Sequence, residues 1–163
     1  MQLFGEAVWL EFPAALRKQV EARGGGSWTA ALHGVGHLFV SLVRLFVLCD
    51  ADDVGTEHVN EFEQRIKPNR VTIFERREGG SGLVPEIVKV LPKLIEKAWT
   101  IASECLCSDG CPACIQSAGC SEFNHRVVLA ESCQGLSQVE VSFAVQVFHH
   151  PPSELGVAVS LRR

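Results

Sequence analysis

The stretch "AVWLEF", residues 7 to 12, alternates apolar and polar positions and carries aromatic residues, which predicts a strand ended by Pro13. "AALRKQVEA" then reads as a short helix, stopped by the glycines at 24 to 26. Ser27 or Thr29 can cap a long apolar helix running to about Val47. "CDADDVGT" is a polar turn with an acidic cluster, and "RVTIFER", residues 70 to 76, is β-branched and aromatic like a strand. It leads into "EGGSGL", a loop whose glycines allow positive φ.

Pro85 suits the first turn of a helix that runs to about Glu104. At 100° per residue, Ile87, Val90, Leu91, Leu94, Ile95, Ala98 and Ile101 share its apolar face, and Lys89, Lys93 and Lys97 form a stripe on the other. Pro92 is expected to kink it. "NHRVVLAESC" predicts a short closing helix, and the chain beyond Gly135 alternates like a strand before its pattern fades. Strands and helices mix without a strict βαβ rhythm, so the expected class is α+β, a small mixed sheet with amphipathic helices. One domain is expected over residues 1–134, followed by a divergent or irregular tail over 135–163.

Composition narrows the function classes. The 163 residues suffice for one core, and an apolar share of 47% with 21% charged residues is ordinary for a globular domain. A net charge of −4 argues against wholesale electrostatic capture of nucleic acid, so any such binding must be local. The first residues lack a basic n-region, so no secretory signal peptide is expected there. Residues 30 to 48 are long enough to span a membrane but contain His33, His37 and Arg44. A central Arg costs roughly 2.5–3.5 kcal/mol on insertion scales, so a buried helix and no membrane contact are expected. The protein is expected inside the cell, in a reducing compartment: the nucleus if eukaryotic, otherwise the cytoplasm.

Reduced, clustered thiols then point to metal. "CLCSDGCPACIQSAGC", residues 105 to 120, holds five of seven cysteines. Cys111 and Cys114 form a C-x-x-C knuckle stiffened by Pro112, with Gly110 letting amides turn toward the sulfurs. Cys107 and Cys120 flank the knuckle and complete a set of four, and Cys105 competes with Cys107 for one position. Zinc is the expected ion, with an iron–sulfur cluster as the alternative that uses the same ligands. A closed set of four thiolates leaves no position for water, so the metal is expected to be structural.

Other signals are weaker. His33 and His37 lie one turn apart but lack the glutamate of H-E-x-x-H, since position 34 is Gly. Two hydrogen-bonded core histidines is the plain reading; the sharper one adds Asp50, Asp52 and Asp53 as carboxylates of a second metal or nuclease site. "EGGSGL" fits neither phosphate-binding fingerprint, so a tight turn is expected. Lys89, Lys93 and Lys97, with Arg76 and Arg77, are candidates for meeting a nucleic-acid backbone, against a plainly solvated face.

Together, "LHGVGH" (32 to 37), "CDADDVG" (49 to 55), "TIFERREGGSGL" (72 to 83) and the cysteine cluster resemble the C-terminal zinc-binding domain of MrfA-type DEAD/DEAH-box repair helicases. The resemblance covers about residues 7 to 130, in the family's order. It implies a domain behind two motor lobes, in enzymes that use ATP to translocate 3′ to 5′ on DNA and act in repair, some with a metal-dependent nuclease activity. It also implies DNA as partner, and Cys107, Cys111, Cys114 and Cys120 as zinc ligands with Cys105 as the further candidate. Neither a Walker A loop nor D-E-A-H occurs in the chain, so no ATPase activity of its own is expected. A protein-docking module for a partner helicase is the third expectation. Where the family has an aromatic residue and Asp before its glycine pair, this chain has Phe74 and Glu75.

Overall fold

A computed structural model describes residues 6–22, 27–57, 68–107, 110–120, 123–124, 141–146 and 157–161. Its elements are β1 (Ala7–Glu11), α1 (Ala14–Ala22), α2 (Trp28–Val43), β2 (Val54–Glu57), β3 (Arg70–Glu75), α3 (Leu83–Glu104), β4 (Val141–Gln146) and β5 (Val157–Leu161). The five strands form one antiparallel sheet in the order β2-β3-β1-β4-β5. Helix α2 packs on β2 and β3, α3 on β1 and β3, and the two helices on each other. The class is α+β, as the mixed pattern predicts.

Register explains the core. In β3, Val71, Ile73 and Glu75 are buried while the residues between them are half-exposed, the alternation of a sheet covered on one face. Pairing of Val8 with Ile73 and of Leu10 with Val71 sets apolar side chains of neighbouring strands side by side. Helix α2 is buried nearly all round, from Trp28 to Val43, because sheet, α1 and α3 contact it from different sides. No helix among the described residues is long and apolar enough to cross a membrane.

Three differences from the sequence expectation have physical reasons. Helix α2 stops at Val43, although apolar residues continue to Leu48. The chain tightens there, with Leu45 N–H donating to Leu42 O and Phe46 N–H to Val43 O. Leu45 and Leu48 are exposed, so burial no longer rewards another helical turn. Helix α3 buries Val84, Ile87, Leu91, Leu94, Ala98 and Ala102, a stripe rotated from the predicted one, leaving Val90, Ile95 and Ile101 at its margin. It begins two residues before Pro85 and continues through Pro92, which lies on the exposed side. Strand β2, in the sequence "VGTE", has no strong β signature and exists through its ladder with β3.

The turn glycines behave as expected: Gly79, Gly80 and Gly82 have φ of 84°, 77° and 82°. The ladder between β1 and β4 brings residues 141–146 into the sheet. The closing helix expected within "NHRVVLAESC" lies, apart from Asn124, outside the described residues.

Candidate metal centre

The end of α3 delivers the first thiols. Cys105 caps the helix, donating its N–H to Ile101 O at 3.1 Å, and its own backbone is already extended. In extended chain, residues two apart point the same way, so Cys105 and Cys107 face one space while Leu106 points into solvent. Gly110, at φ 80°, turns the chain back. The knuckle closes tightly: Cys114, Ile115 and Gln116 all donate backbone N–H groups to Cys111 O, and the Gln116 side-chain amide donates to Gly110 O.

Four sulfurs result, all within 4.8 Å of one another: Cys105, Cys107, Cys111 and Cys114. The Sγ–Sγ distances are 3.1 Å for Cys105–Cys107, 3.8 Å for Cys105–Cys111, 3.4 Å for Cys107–Cys114 and 3.5 Å for Cys111–Cys114. A zinc tetrahedron with Zn–S bonds of about 2.3 Å has edges of about 3.8 Å, so these thiols need move only a few tenths of an ångström around an ion. The N–H of Cys111 points at Cys114 Sγ, 3.0 Å away, and stabilises thiolate charge there. Hydrogen bonds from the Cys107 N–H and thiol bring Cys105 down to about 7, while the hydrogen bond with Cys105, then burial, pushes Cys107 up to about 12. Burial raises Cys114. So tight a group resists being fully anionic by itself, which is the electrostatic condition a divalent cation relieves.

The structure therefore places Cys105, rather than Cys120, with the other three. Cys120 stands elsewhere: its Sγ lies 3.4 Å from His33 Nε2, in a second group with His33 and His37. The reason is the path after the knuckle. The Ile115 carbonyl bonds His37 Nδ1 at 2.9 Å, which pulls residues 116–120 across α2. Asn124 then clasps Ser117, accepting its N–H at 2.8 Å and donating to its carbonyl at 2.9 Å.

The structure does not bring Asp50 and Asp53 to the two histidines; among the described residues, no carboxylate joins either group. From His37 to the end of α2 is six residues, about 9 Å of helix, and the acidic turn lies beyond that. Asp53 instead accepts the Asp50 N–H at 2.8 Å, and its carbonyl accepts the Arg76 N–H at 2.8 Å. The acidic cluster thus shapes the turn into β2, with Asp52 exposed on it. Lys89, Lys93 and Lys97 are all exposed on α3, where Lys89 pairs with Glu86 at 2.6 Å. Arg76 and Arg77 are exposed at the start of the glycine loop, and Arg76 Nε donates to Val54 O at 3.3 Å.

Glu75 is the residue whose role the sequence hides. It is 5% exposed, and its carboxylate accepts the Val84 N–H at 2.8 Å, the Ser81 hydroxyl at 2.9 Å and the Ser81 N–H. It fills the anion position at the N-terminus of α3, where the helix dipole favours negative charge. Burial alone would raise its pKa, but the hydrogen bonds from Val84, Ser81 and Leu83 outweigh that and leave it below 4.5. The loop is thus a turn locked from within. The readable signal was an acidic residue ending a strand just before a glycine loop and a helix.

Comparisons with known proteins agree with this centre. The sequence model of the family described as the MrfA Zn-binding domain matches residues 35–115, a stretch that includes all four clustered cysteines. The chain belongs to that family. Zinc is accordingly its metal, and the four-thiol geometry fits it. An uncharacterized protein of Methanocaldococcus jannaschii, MJ1572.1, is 30% identical over 95 residues, covering 57% of this chain and 85% of the relative. The ATP-dependent helicase HRQ1 of Saccharomyces cerevisiae is 28% identical over 131 residues, 72% of this chain but 12% of the helicase. A crystal structure of the DUF1998 helicase MrfA bound to DNA and AMPPNP shares the fold, with a TM-score of 0.52 and 22% identity over 81% of this chain and 15% of that one. The chain thus spans most of the archaeal relative's length and only a small part of the helicases it matches.

Proposed function

We propose that this chain is the zinc-built accessory domain of an ATP-dependent 3′ to 5′ DNA repair helicase, holding or steering DNA beside the motor lobes. The observation that carries the reading is the four-thiol cluster at the end of α3, within a stretch matching the MrfA Zn-binding domain. Similarity to a segment of the yeast helicase supports it, as does the fold shared with a helicase solved on DNA. Zinc acts structurally here: Cys105, Cys107, Cys111 and Cys114 hold it, and it fixes the chain after α3. Contact with DNA falls to exposed cations, Lys89, Lys93 and Lys97 along α3 with Arg76 and Arg77 beside the glycine loop. The place of action is the reducing interior of the cell, the nucleus in a eukaryote.

The test uses the zinc-loaded chain and a fluorescent single-stranded oligonucleotide, with anisotropy followed across salt concentrations. Replacing Lys89, Lys93 and Lys97 by Glu is expected to weaken binding at least tenfold. It should also flatten the slope of log affinity against log salt by about 2, since each single-strand phosphate contact contributes about 0.7. Equal affinity and slope in the triple variant would defeat the assignment of these lysines.

A further inference from the structure

We propose that His33, His37 and Cys120 form a second zinc site, separate from the four-thiol centre. Their ligand atoms lie within 4.8 Å of one another. Nε2 of His33 is 3.1 Å from Nε2 of His37 and 3.4 Å from Cys120 Sγ. Tetrahedral zinc, with Zn–N bonds of about 2.0–2.1 Å and a Zn–S bond of about 2.3 Å, has N–N edges of about 3.3 Å and N–S edges of about 3.5 Å. The two short separations differ from those values by only one or two tenths of an ångström.

Tautomer chemistry points the same way. The Ile115 carbonyl can only accept, so His37 Nδ1 carries the proton and its Nε2 presents a lone pair in the neutral ring. A carbonyl on the far nitrogen is the usual outer partner of a metal-bound histidine, because it fixes the ring and raises its basicity. The two rings meet edge to face, with centroids 4.4 Å apart, so both Nε2 atoms converge on one space. Both histidines are buried, 3% and 7% exposed, whereas Cys120 is half-exposed and gives the ion a way in. One thiolate and two imidazoles select a borderline-soft divalent ion such as zinc over magnesium or calcium.

The position of the site gives it a purpose. His33 and His37 sit one turn apart in the middle of α2, 87 and 83 residues before Cys120. An ion here ties the segment after the knuckle to the most buried helix of the fold, and Ile115, directly after Cys114, links the two centres. His33 and Cys120 both lie outside the 35–115 stretch that the family model matches. With three protein ligands, the fourth position is left for water or a further donor.

The test counts metal in the intact chain after saturation with Zn²⁺ and desalting. Two ions per chain are expected, falling to one in Cys120→Ala and in His33→Gln, and remaining two in Cys120→His, which restores a ligand. X-ray absorption at the zinc edge should show a mixed sulfur and nitrogen shell, reverting to sulfur alone in Cys120→Ala. One ion in the unaltered chain with a sulfur-only shell would overturn the site, as would two ions retained in Cys120→Ala. Because this readout needs no DNA, a chain that holds two ions and binds no DNA keeps the second site and loses the helicase reading.

Discussion

Removing the carboxylate of Glu75 is the sharpest probe of how α3 is anchored. In Glu75→Gln one oxygen can still accept the Val84 N–H, but the new amide group faces the Ser81 N–H, so a donor meets a donor. In Glu75→Ala the Val84 amide, on a fully buried residue, loses its side-chain partner. A hydrogen bond to a charged group contributes about 1.5–3 kcal/mol, and an orphaned buried amide costs about 1–3 kcal/mol. Several kcal/mol of carboxylate desolvation oppose the three bonds, so they cannot simply be summed. The expected net losses are about 2 kcal/mol for Gln and about 3–4 kcal/mol for Ala. Urea denaturation of the zinc-loaded protein at pH 7 measures both.

The pH dependence supplies a second check on the same residue. The folded-state pKa of Glu75 lies below 4.5, so the carboxylate binds fewer protons in the fold than in the unfolded chain. Its contribution is therefore complete above the unfolded value and drains away as pH falls through the folded one. The stability gap between wild type and Glu75→Gln should be constant from pH 7 to about 5 and shrink below 4.5. Loss of zinc in acid affects both proteins and cancels in the difference. A Gln variant within 0.5 kcal/mol of wild type at pH 7, with a gap that ignores pH, would refute the anchoring argument.

Two further substitutions test packing and ligand assignment. A Cβ at Gly36 would lie 2.7 Å from Thr56 Oγ1, so Gly36→Ala should lose about 1–2 kcal/mol net despite the better helix propensity of Ala. Adding Thr56→Ala, which removes the close atoms, should recover part of that loss in thermal or urea unfolding; strictly additive losses would mean the contact is not the cause. At one Co²⁺ per chain, where the four-thiol centre is filled, Cys105→Ser should weaken Co²⁺ binding and reduce the sulfur-to-cobalt absorption. Cys120→Ser should leave most of it, and the reverse outcome would restore Cys120 to the four-thiol set.

What could be read from the chain follows from the range of the interactions involved. β1, α1 and β3 were legible because alternation, helix periodicity and their breakers are local. The cysteine centre was legible for the same reason: C-x-x-C behind a glycine needs only a few residues of backbone to make sense. Choosing four of five thiols was not legible, because it depends on the bond between Ile115 and His37, 78 residues apart. That bond sends Cys120 toward α2 and leaves Cys105, the cap of α3, to complete the set. Strand β2 was missed because "VGTE" acquires its conformation from β3. Glu75 was readable as a retained negative charge, but its task appears only once three glycines at positive φ fold Ser81 and Val84 back over it.

The charges of these parts limit how DNA can be met. Four thiolates around one divalent ion leave a formal charge of about −2 at the knuckle. This sits at the C-terminus of α3, which is already the negative end of the helix dipole. At the other end, the position that would welcome a phosphate is filled by the Glu75 carboxylate. The knuckle end of α3 therefore repels phosphate, the amide position at its other end is already taken by Glu75, and the chain as a whole carries −4. What remains attractive is the flank, where Lys89, Lys93 and Lys97 are exposed along successive turns, with Arg76 and Arg77 beside the loop. On the proposed reading, the metal fixes the chain just after α3, where Cys105 ends the helix, and the lysine flank is the face left open to a phosphate backbone. A nucleic acid bound by this domain should then run along α3 rather than over its zinc.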